Sequence, residues 1–111
     1  MRYFKKMLVV AAVPLFALLS GCASDFIKVR EGSDRVSLAE ASQVGNCQSL
    51  GRTTVSVVTK VGLYNRSIED VDANLLQMAR NSAVDMGGDT VVRGDRLEVG
   101  KRVFAIYKCR P

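Results

Sequence analysis

The chain has 111 residues, 48% of them hydrophobic and 24% charged, enough for one small globular unit and too few for a second domain of ordinary size. It contains no His, no Trp and three Cys, which excludes histidine-based catalysis, histidine-containing zinc sites and a four-thiolate metal cluster. Its formal charge of +5 suggests an acidic partner only until the distribution of that charge along the chain is followed.

Arg2, Lys5 and Lys6 surround Tyr3 and Phe4, and Met7 to Leu18 is apolar throughout, the charged and hydrophobic regions of a secretory signal. The apolar run is about a dozen residues, short of the ~20 that a membrane-spanning helix needs, and Pro14 interrupts it. It ends in Leu19-Ser20-Gly21-Cys22, which resembles the bacterial lipobox. The resemblance implies cleavage between Gly21 and Cys22, with fatty chains on the Cys22 thiol and on the new amino group. At about 0.8 kcal/mol per buried methylene, several such chains hold a protein permanently. The competing reading is an ordinary signal peptide followed by a chance cysteine. Ala23-Ser24 lacks the aspartate that signals inner-membrane retention in enteric lipoproteins, so the expected location is the outer membrane, with the domain facing the periplasm.

Removing residues 1–21 takes away three basic and no acidic residues, leaving 13 Lys+Arg against 11 Asp+Glu and a charge of +2. Nucleic-acid binding calls for a basic patch on the folded domain, and neither this balance nor an export signal supports it. The expected organisation is a signal peptide over 1–21, a lipidated cysteine and tether over 22–35, and one domain over 36–111. The polar tether, broken only by Phe26, Ile27 and Val29, reaches roughly 40 Å when extended and keeps the domain beside its membrane.

Within the domain, Val36 and Leu38 form an early apolar piece, and Leu50 to Val58, with Thr53 to Val58 mostly β-branched, predicts a strand. Gly62 and Asn65 break that pattern. Ser67 before Ile68, with Asp70 three residues on, predicts a helix start. Ile68, Val71, Leu75, Met78, Ala79, Ala83 and Met86 then recur at helical spacing. Glu69, Asp70 and Asp72 favour the positive end of the helix dipole, and Gly87-Gly88 supplies the stop, with Gly87 expected to take positive φ. Thr90-Val91-Val92, a polar turn region over 94–100, and Val103 to Tyr107 predict two strands joined as a hairpin. The expected fold is α+β: a three- or four-stranded, mainly antiparallel sheet with one long helix packed on one face. Phe104, Ile106, Leu75 and Met78 should meet in the core.

With Cys22 acylated, Cys47 and Cys109 are left as a pair in an oxidising compartment, and a disulfide is expected. It closes a loop of about 63 residues, worth roughly 4 kcal/mol by chain entropy. Two buried free thiols are the alternative; a redox-active pair would call for the C-x-x-C spacing that is absent.

Catalytic constellations are missing. Asp70 and Asp72 lie on different helix faces, Glu69 with Asp72 reads as a solvated first turn, and Gly87-Gly88-Asp89 follows a helix where phosphate-binding loops precede one. No enzyme activity, metal or cofactor is expected. Asn65-Arg66-Ser67 is formally a glycosylation sequon and reads as an exposed loop. One asymmetry remains: Arg93, Arg96, Lys101, Arg102, Lys108 and Arg110 face only Asp95 and Glu98 over residues 93–110. Such a strip suits lipid phosphates or an acidic partner, or merely keeps edge strands soluble.

The lipobox, Gly45-Asn46-Cys47 with Leu50-Gly51 and a Thr/Val strand, Val61-Gly62, Arg66-Ser67, Ala79-Arg80-Asn81, Gly87-Gly88-Asp89-Thr90-Val91-Val92 and Phe104-Ala105-Ile106-Tyr107-Lys108-Cys109 together resemble a family of small bacterial lipoproteins classed as a domain of unknown function. The helix, the Gly-Gly-Asp turn and the following strand are more distantly similar to the disulfide-bonded domain of the Rcs envelope-stress sensor lipoprotein. That likeness implies a domain that binds another envelope protein. The sensor's long Pro-rich linker and four domain cysteines are absent here. The expected function is therefore a non-enzymatic outer-membrane lipoprotein that contacts an envelope protein through the exposed side of the sheet around Arg93, Arg102 and Lys108. The alternatives are a lipid- or cell-wall-binding module that uses the basic C-terminal hairpin, and a hydrolase without recognisable motifs.

Overall fold

The computed structural model describes residues 27–111; the expected signal peptide, the expected cleavage site between Gly21 and Cys22 and the first residues of the expected tether lie outside the described residues. The elements in chain order are strand β1 (Ser37–Ala39), β2 (Gln48–Ser56), β3 (Lys60–Val61), β4 (Tyr64–Asn65), helix α1 (Ile68–Met86), β5 (Thr90–Glu98) and β6 (Lys101–Lys108). Short 3-10 turns at Ser33–Arg35 and Ala41–Gln43 flank β1.

Helix α1 starts and stops where its capping residues dictate. The Ser67 hydroxyl accepts a hydrogen bond from the Asp70 backbone N–H at 3.1 Å, satisfying one of the amides that the first helical turn leaves without a partner. At the other end Gly87 adopts φ 77°, and its N–H reaches back to the last turn, as a left-handed cap requires. Val71, Leu75, Ala79 and Ala83 are buried, four residues apart in one stripe that lies against β2, β5 and β6. The small side chains in the second half of the stripe let the helix lie close to the sheet. Ile68 and Met86, expected on that stripe, overhang its two ends, Ile68 62% exposed and Met86 37%.

The main sheet has strand order β1-β5-β6-β2. β2 and β5 each pair antiparallel with β6, whereas β1 pairs parallel with β5, Ser37 opposite Thr90 and Ala39 opposite Val92. The sheet is therefore mixed, four strands in all. The parallel edge is possible because β2 and α1 intervene in sequence between β1 and β5, so no tight turn forces their directions to alternate. A second, two-stranded ladder of β3 and β4 occupies the stretch that Gly62 and Asn65 mark as a break, and Gly62 turns it at φ 61°.

The core lies between α1 and the inner face of the sheet. Phe104, Ile106, Leu75, Val91 and Val55 belong to it, with Val71, Ala79, Ala83 and Val36; Met78 packs at its margin. Phe104, Ile106 and Leu75 are thus central, as the periodicity predicts. Ser33, buried at the edge of the helix, has its hydroxyl hydrogen-bonded by the Gln77 amide at 3.0 Å.

The outer face is only half open. β1 ends level with Val92 at one edge of the sheet, and β2 begins level with Lys108 at the other edge. Residues 40–46 must therefore cross diagonally, and α1 already occupies the inner face. Thr90 and Val92, which alternate with the core residue Val91 and so point outward, are both buried, as is Val44 within the crossing segment.

Candidate functional site

Cys47 and Cys109 are joined, with Cα atoms 4.5 Å apart and 62 residues between them in sequence. Cys47 precedes the Gln48–Lys108 pair by one residue and Cys109 follows it. The bridge thus extends the β2–β6 ladder by one covalent rung, at the end of the sheet where β5 begins.

Beside it lies a feature that the sequence reading passed over. The Asp89 carboxylate accepts hydrogen bonds from the backbone N–H of Cys109 at 2.8 Å, from the N–H of Arg110 at 2.9 Å and from the Thr90 hydroxyl at 2.9 Å. Burial opposes ionisation, but these donors and the nearby Arg110 guanidinium outweigh it and hold the acid below the usual carboxylate range. Arg110 completes the knot by donating to the carbonyls of Arg35 at 2.6 Å and Asp89 at 2.7 Å. The start of β1, the start of β5 and the end of β6 are thereby tied together. The only signal in the sequence was the polar residue after Gly87-Gly88, which reads equally well as part of a helix stop.

The basic residues expected on the exposed side of the sheet are elsewhere. Arg93 pairs with Phe104, and Arg102 and Lys108 share the parity of Phe104 and Ile106 along β6. All three therefore take the helix-side parity of their strands. Arg102 Nε donates to the Gly94 carbonyl at 3.1 Å, Arg93 is exposed midway along β5, and Lys108 is exposed at the disulfide end. They do not converge. The expectation fails because two-residue alternation decides the face, and the pairing register decides which parity is inward.

The open half of the outer face carries different residues. Arg52 opposite Ala105, Thr54 opposite Val103 and Ser56 opposite Lys101 point outward there. Arg52, Gly94, Asp95, Val103 and Ala105 line a shallow depression of about 220 Å³. Position 94 is a glycine because an added Cβ would come within 2.9 Å of the Val103 carbonyl oxygen. Among the described residues no group of three His, Cys, Asp or Glu side chains is placed to hold a metal ion, and no helix is long and apolar enough to cross a membrane.

A family model described as a domain of unknown function, DUF4156, matches residues 27–109. The chain belongs to the DUF4156 family. Its match spans every described strand, α1 and both bridged cysteines. No curated protein and no solved structure matches the chain. The likeness to the Rcs sensor lipoprotein rests on the sequence motifs alone.

Proposed function

We propose that this DUF4156 protein is exported, acylated at Cys22 and held in the outer membrane, and that its domain binds another protein of the envelope without catalysing a reaction. The observation that carries this reading is the fate of the cysteines. Two of the three are consumed by the Cys47–Cys109 bridge, a bond suited to an oxidising compartment. Cys22, behind Leu19-Ser20-Gly21, is the thiol left for lipid. A role in reporting envelope stress belongs to the same reading, since a stapled domain close to its membrane meets neighbouring envelope proteins directly.

The open half of the outer face is the surface best suited to a partner. It presents Arg52, Thr54 and Ser56 on an edge strand beside a shallow depression, and an edge strand offers main-chain donors and acceptors with which an extended segment of a partner can pair. Lipid or cell-wall binding through Arg93, Arg102 and Lys108 has less support, because these cations are spread along the strands. The test is a photo-crosslinking residue at position 54 in living cells, in the natural chain and with Cys22→Ser. The natural chain should fractionate with the outer membrane, carry the mass of its fatty chains and capture a discrete partner; Cys22→Ser should lose all three. Unchanged mass and fractionation in Cys22→Ser would end the anchor reading, and an anchored chain that captures nothing from position 54 would end the partner reading.

A further inference from the structure

Among the described residues β2 has β6 as its one strand neighbour, so its other side is a free edge. Two contacts fix which main-chain groups face that edge. The Val57 N–H donates to the Gly100 carbonyl at 2.9 Å, in the register that sets Val55 against Arg102 and Thr53 against Phe104. Across β6, the Val103 carbonyl lies against Gly94 of β5. Antiparallel hydrogen bonds alternate from one side of a strand to the other, so Thr53, Val55 and Val57 bond to β6. The N–H and C=O groups of Arg52, Thr54 and Ser56 therefore point to the free edge, on the residues whose side chains form the outward row. Their N–H groups have no hydrogen-bond partner among the described residues. From Arg52 to Ser56 the strand has one charge, no proline and no register slip, so little there keeps the edge from pairing.

The two flanks of this edge differ in chemistry. On the inner flank the Thr53 hydroxyl donates to the Ser82 hydroxyl at 3.4 Å, and an added Cβ on Gly51 would lie 3.6 Å from the Met86 methyl. Ser82 and Met86 thus lie over β2, and Met78, four residues before Ser82, continues their row. Met78 is half-buried and Met86 partly exposed, which leaves adaptable apolar side chains beside the edge. Asp85, three residues beyond Ser82, is paired with Arg30. On the outer flank Arg52 is the one charge of β2, exposed and without an ion-pair partner among the described residues. Asp95 lines the same depression, but it stands on β5, beyond β6. A strand added to β2 would lie about 5 Å from Arg52's strand and about 14 Å from β5. The second distance exceeds the screening length of about 8 Å, so the charges of an added strand answer to Arg52.

We propose that the free edge of β2 takes an extended segment of the partner protein as an added strand, with a carboxylate beside Arg52 and apolar side chains toward Met78 and Met86. The proposal rests on the reading that this half of the sheet meets an envelope protein, and it names the chemistry of that partner. Alternation dictates the pattern: successive side chains of an added strand point to the outer and then to the inner flank, so acidic and apolar residues take turns. Cross-strand pairing rewards opposite charges and penalises like ones. A second copy of β2 has no acid to set beside Arg52. Pairing from Arg52 to Ser56 calls for a segment of about six residues.

The probes are two end-blocked hexapeptides, one alternating valine with glutamate and one alternating valine with lysine, added at millimolar concentration to the chain as purified from its envelope. Amide hydrogen exchange is followed residue by residue by NMR. Without peptide, Arg52, Thr54 and Ser56 should exchange fast, and Thr53, Val55 and Val57 slowly. The glutamate peptide should slow the first three roughly tenfold and the lysine peptide should not; Arg52→Glu should reverse that preference. Thr54→Pro removes a donor from the free edge and leaves the bonds to β6 in place. It should abolish protection by either peptide, and if that chain fails to fold, the reversal in Arg52→Glu decides. Equal protection by the two peptides, or protection by neither, overturns the proposal. Slow exchange of Arg52, Thr54 and Ser56 without peptide, lost on dilution, assigns the edge to a second copy and also overturns it. A partner still captured from position 54 would then leave the broader reading of this surface standing, whereas no capture there would end both.

Discussion

Gly87 and Gly88 stand side by side for different reasons. Gly87 is a glycine because the helix cap needs φ 77°, in open space. Gly88 has no positive φ; an added Cβ there would come within 2.7 Å of Ile106 Cγ2 and 3.0 Å of the Tyr107 carbonyl. Since Ile106 is fully buried, it cannot give way cheaply, and Gly88→Ala should cost about 1–3 kcal/mol by overpacking. Gly45→Ala, with nothing within 4 Å, should be neutral, and comparing the two by urea unfolding checks the assignment. Asp89 is the other decisive residue. Asp89→Asn turns an all-acceptor carboxylate into a group with two donors facing backbone N–H donors, and should cost about 1–3 kcal/mol at neutral pH. Its folded-state acidity is strengthened, so the contribution is complete above the ordinary aspartate value near 4 and disappears as pH falls through the lower folded value. Wild-type stability should therefore fall more steeply below about pH 4 than that of Asp89→Asn; parallel acid titrations of the two would contradict this.

At the scale of elements, the disulfide joins β2 to β6, strands already paired over their whole length. Its effect falls mainly on the unfolded chain, whose 62-residue separation it constrains. The double change Cys47→Ser with Cys109→Ser should lower stability by about 2–5 kcal/mol, about 10–30 °C in melting temperature for a domain of this size, while leaving the circular dichroism of the native state unchanged. An unaltered melting temperature would show that the hydrogen bonds of Asp89 and Arg110 close this end of the sheet unaided. α1 was legible to within a residue at both ends, because Ser67, the apolar stripe and Gly87 are local signals of backbone geometry. The strand predicted over Leu50 to Val58 is found at Gln48–Ser56, shifted toward Cys47, with a register slip at Leu50 where Gly51 takes φ 118°. The slip keeps Leu50 against the core, and nothing in simple alternation announces it.

At the scale of the whole molecule, composition and pattern were sufficient to specify the α+β class, the one long helix, the cysteine pairing and the central core residues. These depend on periodicity, on capping and, for the pairing of Cys47 with Cys109, on the lipobox resemblance that sets Cys22 aside, all of them properties of short windows or of simple counts. The direction of β1, the diagonal crossing of residues 40–46 and the outer-face burial of Thr90 and Val92 depend on which strands become neighbours, and sequence spacing does not encode that. The basic hairpin shows the consequence most clearly. Arg93, Arg102 and Lys108 are visible as a cluster in sequence, yet the pairing of Arg93 with Phe104 turns them to the helix side and spaces them along the strands. An exposed apolar end was hidden for the same reason: Leu63 and Val99 belong to segments far apart in the chain, and only the seating of Gly100 beside Thr59 brings their turns together. The local chemistry of this protein was written in its sequence, whereas the composition of its surfaces was decided by strand register, because a one-residue difference in pairing exchanges the two faces of a sheet.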